Sequence, residues 1–224
     1  MSRLGIVVGY RAEARCLVGP GLRVLCSGAD AARARTAAQR LGDEGVTGLV
    51  SFGLAGALAP HLAPGDLLVP QAVIMPGGRE IATEAVWRER LAAMLERAGL
   101  PAHDAPILGS EIVVATGDAK RALAAQTGAV AADMESHGVA DVAARAGLPY
   151  LIVRAVADRS DQAIPRAAIG AIDAQGEVRH LALLGRLIGR PWEIGALIAL
   201  GRSSGRGLAS LRRVAALAPG LGFV

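Results

Sequence analysis

Between Ala129 and Asp161 the chain reads AVAADMESHGVADVAARAGLPYLIVRAVADRSD, and this stretch constrains the fold more than any other. Ala129–Ala132 is a short run of small apolar residues, which predicts a strand. Ser136–Ala146 carries Val139, Val142, Ala143 and Ala146 at helical spacing. Gly147 and Pro149 stop that helix, and Tyr150–Ala157 is a continuous apolar run that reads as a buried strand. Acids stand at both strand ends, Asp133 and Glu135 after the first and Asp158 after the second. In a parallel sheet the carboxyl ends of the strands are where ligands bind, so the three acids are expected to share a site. The alternative is that they cap helices, because Asp is a favoured N-cap and acids suit a first helical turn.

The same alternation runs through the chain from Leu4 to Asp161. Strands are expected at Leu4–Gly9, Gly21–Ser27, Gly45–Phe52 and Pro106–Ala115, the first rich in Val and Ile as parallel strands are. Helices are expected from near Arg11 with Glu13 in the first turn, from Ser27-Gly28 through Leu41, and from Ile81 to Leu100. The last of these puts Trp87, Leu91, Met94 and Leu95 on one face. Backbone amides at the helix start by Gly28 are placed to face an anion or a polarised water. Beyond Asp161, Ile169–Ile172 and Val178–Ile188 suggest a helix pair broken at Ala174-Gln175-Gly176. A basic, apolar helical region follows over about 190–224, where WEIGALIAL precedes Arg202, Arg206, Arg212 and Arg213. The expected architecture is a single α/β domain over residues 1–224: a mixed, mainly parallel sheet with helices on both faces, hence three layers. A length of 224 residues suits one domain of the larger sort.

Composition removes several function classes. A hydrophobic fraction of 52% with 20% charged residues excludes disorder. Aromatics are 3%, too few for the stacking platforms of single-strand nucleic-acid recognition. The net charge of +4 is concentrated after Asp161, which favours a membrane surface over a duplex, or else arginines solvated on helix faces. Cys16 and Cys26 are too few for a disulfide framework and lack His or Cys company for a metal site. They fit free thiols of a cytosolic protein. No signal-peptide pattern is read at the N-terminus and no apolar run reaches the length of a membrane span. Gly5 and Gly9 do not make a G-x-G-x-x-G, so a dinucleotide-dependent oxidoreductase is unsupported.

DMES followed by an apolar strand ending in RAVAD resembles the nucleoside phosphorylase superfamily, especially its methylthioadenosine/S-adenosylhomocysteine nucleosidase branch. GIVVGYRAEARCL resembles that family's first strand and turn. SFGLAGALAPHLAPGDLLVP resembles its glycine-rich turn and Gly-Asp strand, and TGD at 116–118 its Ser-Gly-Asp segment. The four segments come in the family order and cover most of the chain to about Asp161. Two positions depart: Leu54 stands for the family's Ser, and Lys120 for the aromatic beneath the adenine. The closest overall likeness is to the hopanoid-associated phosphorylase branch, thought to release adenine from adenosylhopane.

The resemblance implies rupture of the bond between ribose and a purine. Asp158, kept protonated by burial, would act on purine N7. Glu135 would hold the ribose hydroxyls, with Met134 against the sugar and Asp133 beside them; Glu13 would bind or deprotonate the attacking water. Gly53 would let the backbone approach the ribose or nucleophile closely. Arg154 would pair with a buried acid or, alternatively, bind an anion. No cofactor and no metal are expected, with phosphate the alternative nucleophile to water. A small-molecule or lipid-linked nucleoside is the expected partner. Nucleic acid is excluded, and a homo-oligomer is expected, with Ile81, Trp87 and Leu91 offering an apolar face. The protein is expected to be cytoplasmic, with peripheral contact at the inner membrane surface through the C-terminal region or, instead, that region docked on the domain. A non-catalytic nucleoside-binding module is the alternative of another class.

Overall fold

The computed structural model describes residues 4–17 and 22–217. The N-terminal half contains β1 (Leu4–Val8), α1 (Arg11–Ala14), β2 (Leu22–Cys26), α2 (Ala31–Asp43) and β3 (Gly48–Ala57). Short strands β4 (Leu67–Leu68), β5 (Ala72–Ile74) and β6 (Glu80–Ala82) precede α3 (Ala85–Arg97). Then come β7 (Ala102–His103), β8 (Ile107–Gly109), α4 (Gly117–Thr127) and β9 (Ala131–Asp133). The chain closes with α5 (Ser136–Ala146), β10 (Tyr150–Asp158), α6 (His180–Ile188), a single 3₁₀ turn at Pro191–Glu193, and α7 (Ile194–Leu217). Gly21 of the second expected strand and residues 218–224 of the expected C-terminal region lie outside the described residues.

The ten strands form one sheet whose described pairings are mostly parallel, with antiparallel exceptions at β3–β9, β4–β10 and β5–β6. Its spine is β3. On one side β10 runs beside it in parallel from Leu49 to Gly56. On the other side the partner changes: β1 pairs in parallel with Gly48–Ser51, and β9 pairs antiparallel with Gly56 and Ala57. The sheet therefore forks at the middle of β3. Because β9 runs back down toward the fork, its carboxyl end meets the carboxyl end of β1. The sheet is mixed and mainly parallel, as expected, and the acids converge even though β9 runs antiparallel to β3.

Alternation along the strands sends side chains to two separate cores. Val7, Leu49 and Ile152 face α2 and α5, against Ala34, Ala38, Leu41, Val139 and Ala143. Ile6, Val50, Phe52 and Leu151 face α3 and α7, against Leu91, Leu95, Leu211 and Val214. Two helices on each face give the expected three layers. Burying a Leu or Phe in such a layer contributes about 1.5–3 kcal/mol, so α7 is held to the sheet chiefly by its C-terminal half. The C-terminal helix is thus docked on the domain over that half, as one of the two sequence readings had it.

Several boundaries differ from expectation. The glycine-rich segment 53–57 continues β3 instead of turning, since small residues let α7 and Arg154 close over an extended backbone. Ile81 belongs to β6, and the helix begins only at Ala85, with Glu84 as its cap accepting from the Val86 amide. Leu91 is fully buried and the partly buried Trp87 packs on the same core, so this face of α3 covers the sheet. Strand β8 ends at Gly109; residues 110–116 form a loop in which the Ser110 hydroxyl donates to the Ile112 carbonyl. Residues 169–172 are a turn that bridges to Val178, not a helix. Cys16 and Cys26 are free thiols, and burial raises the pKa of both.

Candidate active site at the fork of the sheet

Glu13 follows β1 by one turn of helix, and the turn itself fixes its carboxylate. The amides of Gly9 (2.8 Å) and Tyr10 (2.9 Å) donate to Oε2, and the amide of Leu54, from across the fork, donates to Oε1 (2.7 Å). These bonds lower its pKa, as does Arg154, but burial outweighs them and the group is pushed up to about 7. Glu13 is 1% exposed; Tyr10, Ala12 and Leu54 line the adjoining cavity while the carboxylate sits directly behind them. Leu54, where the family's Ser was expected, contributes its backbone to this anion and its side chain to the cavity wall.

Asp133 closes β9, and its two oxygens take separate tasks. Oδ1 accepts from the Ser136 amide (3.2 Å), capping α5, while Oδ2 accepts from the Ser136 hydroxyl and pairs with Arg154. The helix-capping reading therefore holds for Asp133. It does not hold for Glu135, which makes no cap bond and instead pairs with Arg154 at 3.2 Å. Arg154, on β10, is wholly buried, as expected for a partner of buried acids; it also donates to the Ser51 hydroxyl at 2.7 Å. Burial most of all, then the neighbouring charges of Asp133 and Glu13, push Glu135 up to about 8 against the pull of Arg154.

Asp158 ends β10 at a register shift after Val156, and this bulge sets its carboxyl opposite Gly56. Burial raises its pKa and Lys120 opposes the rise. Lys120, 1% exposed in the first turn of α4, donates its ammonium to Asp158 Oδ2 and to the carbonyls of Arg159 (2.7 Å) and Gln162 (2.9 Å). The lysine expected beneath the base thus points at the acid. Nothing in the local sequence marks this, because the partners lie about forty residues away.

Bare backbone lets these charges approach. A Cβ at Gly9 would stand 2.7 Å from Glu135 Oε1, and one at Gly56 3.2 Å from Asp158 Oδ1. At Gly53 it would collide with Arg154 and Glu13, so Gly53 supports the charged cluster from beneath. Gly28 adopts φ 65° and packs against the backbone of Asp173 and Ala174; its neighbour Ala29, not Gly28 itself, lines the cavity. Gly9 was not singled out by sequence reasoning, although a glycine closing a buried strand marks a close approach.

Asp133, Met134, Glu135, Lys120 and Asp158 line one cavity of about 630 Å³. Its floor is charged and its outer walls are apolar, built from Ile112, Val114, Ile164, Ile172, Leu183 and Leu200. That combination suits a ligand with a polar core and an apolar extension. Among the described residues, no group of three or more His, Cys, Asp or Glu side chains is placed to hold a metal ion.

A fold with this forked sheet and this cluster defines a class. The family model of the phosphorylase superfamily matches residues 7–188, and the chain belongs to that superfamily. It is accordingly an enzyme that transfers or hydrolyses a glycosyl group. The fold is also that of a methylthioadenosine/S-adenosylhomocysteine nucleosidase from Neisseria meningitidis in complex with methylthio-immucillin-A. The TM-score is 0.73 at 14% identity, covering 97% of this chain and 98% of that one. The corresponding nucleosidase of Helicobacter pylori gives a TM-score of 0.69 at 15% identity, over 95% and 97% of the two chains. Futalosine hydrolase of the same organism gives 0.69 at 15% identity, again over 95% and 97%. A search of curated protein sequences gave no match.

Proposed function

We propose that the enzyme cleaves the N-glycosidic bond of a 5′-substituted adenosine and releases adenine. The observation that carries this is the convergence on one cavity of three buried carboxyls, Asp133, Glu135 and Asp158, with a fourth, Glu13, fixed immediately behind its wall. Cleavage passes through a sugar with oxocarbenium character, so the site must steady positive charge on the ribose and neutralise the departing base. Glu135 accepts hydrogen bonds from the ribose hydroxyls, with Met134 against the ring and Asp133 holding Arg154 in place. Those bonds strengthen as the ring gains charge. Asp158 delivers a proton to purine N7. A carboxylate offers about four lone-pair positions. The three amides on Glu13 leave one for the attacking water, which Glu13 orients and relieves of a proton. Phosphate is the other nucleophile this chemistry admits, with no further cofactor.

The substrate we favour is adenosylhopane, an adenosine with a polycyclic lipid at the 5′ carbon, which places the reaction in hopanoid biosynthesis. Its support is the apolar outer wall: Leu183 of that wall belongs to α6, which also carries the exposed Leu181 (86%) and Ile188 (86%), and exposed Trp192 (73%) follows it in the chain. These residues, flanked by arginines, suit peripheral contact with an anionic membrane surface from the cytoplasmic side. No described helix is long and apolar enough to cross a membrane. The second reading, methylthioadenosine/S-adenosylhomocysteine nucleosidase, has in its favour the solved structures named for that activity. Incubation with adenosylhopane in anionic vesicles and with methylthioadenosine, each with and without phosphate, tests the proposal. Adenine release greater from the lipid nucleoside, with the sugar product reporting water or phosphate, is expected. Preference for methylthioadenosine moves the assignment to the second reading, and no adenine from either leaves a nucleoside-binding module.

A further inference from the structure

Lys120 is the one feature of the floor that the scheme above leaves without a task. Its ammonium meets three acceptors, Asp158 Oδ2 and the carbonyls of Arg159 and Gln162, and an ammonium has three N–H donors. A neutral amine would turn a lone pair toward one of them, so the pocket is built for the cation. Asp158 and Lys120 both line the cavity, at its charged end. A lysine serving only to fill the core would be costly where leucine would do, since a buried ion pair gains little over apolar packing.

We propose that Lys120 is a positioning residue and proton reservoir for Asp158, so that the pair, and not the carboxyl alone, supplies the proton that the leaving base requires. The pair together holds one transferable proton and is neutral overall. As the bond from C1′ to the base nitrogen breaks, its electron pair goes to the purine. Asp158 takes the proton of the Lys120 ammonium and relays it to N7. Adenine leaves neutral; the pair is left as amine and carboxylate, with one negative charge, and regains its proton from solvent. The nucleophile's proton leaves separately, through Glu13. This arrangement keeps a proton available at pH values where a lone buried carboxyl would have lost it.

The other charged groups around the pair are accounted for. On α4, Asp118 pairs with Arg121; after β10, Asp161 pairs with Arg159 at 2.9 Å. Across the cavity stand Glu135 and Tyr10, with Glu13 behind them, and Arg15, Glu177 and His180 lie at the lining. Arg154 is occupied with Asp133 and Glu135. Among these described groups no side-chain cation other than Lys120 is in hydrogen-bonding contact with Asp158.

The inference rests on the nucleosidase reading, and the experiment separates the two. Rates of base release are measured against pH for the full-length wild type, Lys120→Met and Lys120→Arg. The probes are methylthioadenosine and its N7-methylated counterpart, whose base departs without needing a proton. Melting temperatures and KM are recorded alongside. On methylthioadenosine both variants are expected to lose about 100-fold or more in kcat. The loss should be steepest on the alkaline side, with KM changed far less. On the N7-methylated nucleoside they should approach the wild type. Lys120→Arg keeps the charge but holds its proton, so it separates proton supply from charge and guards against a folding defect in Lys120→Met. Equal losses on both nucleosides, or a pH profile of unchanged shape, would overturn the inference. Should the wild type reject the methylated probe, the pH profile alone decides. A wild type that releases no base from any 5′-substituted adenosine defeats the functional reading instead.

Discussion

At the scale of single residues, one guanidinium faces more negative charge than it carries. Arg154 contacts Asp133 and Glu135 and lies against Glu13 beneath Gly53, while its Nε and Nη1 find no described partner. Three ionised acids around one arginine would leave an excess of buried charge, and the site answers by holding protons. Glu13 is pushed up to about 7 and Glu135 to about 8, from an ordinary value of 4.5. Folded-state values above the unfolded ones mean that the native chain binds protons the unfolded chain has released. Stability from these groups is therefore fully present below about pH 4.5, and is lost as pH rises through about 7 and about 8. The melting temperature should fall from about pH 5 to about pH 8, and in a Glu13→Gln, Glu135→Gln double variant the slope should flatten. An unchanged slope by differential scanning fluorimetry would contradict this charge balance. The acids at strand ends, 133, 135 and 158, were legible because that position has a physical meaning in any α/β sheet. Lys120 and Gly9 were not, since what defines them is a distant carboxylate brought close by the fold.

At the scale of elements, periodicity gave α5 and β10 almost to the residue, because each is bounded by a glycine, a proline or a charge that ends it. It misread 53–57 as a turn, and the reason lies in α7. Gly207 of that helix sits so close to β3 and β10 that a Cβ would come 2.7 Å from Leu54 Cδ2 and 2.9 Å from the Val156 carbonyl. Small residues in β3 are packing surface for a helix some 150 residues later in sequence, which no local signal carries. A pair of substitutions tests this contact. Replacing a helical glycine by alanine ordinarily adds about 1 kcal/mol. Gly205→Ala, with open space around it, should raise the melting temperature by about 2–4 °C. Gly207→Ala, two residues on, should lower it, because overpacking costs about 1–3 kcal/mol. Stabilisation by both would show that α7 does not seat on the sheet as described.

At the scale of the whole molecule, the fork in β3 joins everything that matters. It lets one strand pair with β1 below and β9 above, so the ends of β1 and β9 and the bulged end of β10 deliver four acids to one place. The first half of α7 and the segment 164–183 then wall that place with apolar side chains, while the second half of α7 locks into the core. The general architecture was legible from alternating strand and helix patterns; the fork was not, because strand order is a property of pairing and β9 is only three residues long. The central claim is that this charged floor breaks a glycosidic bond through proton delivery by Asp158. The most direct measurement compares adenine release and nucleoside affinity for the wild type and Asp158→Asn on a 5′-substituted adenosine. The asparagine can still form hydrogen bonds but has no acidic proton to give, so turnover should fall by about two orders of magnitude or more while binding persists. Undiminished adenine release by Asp158→Asn would contradict the account.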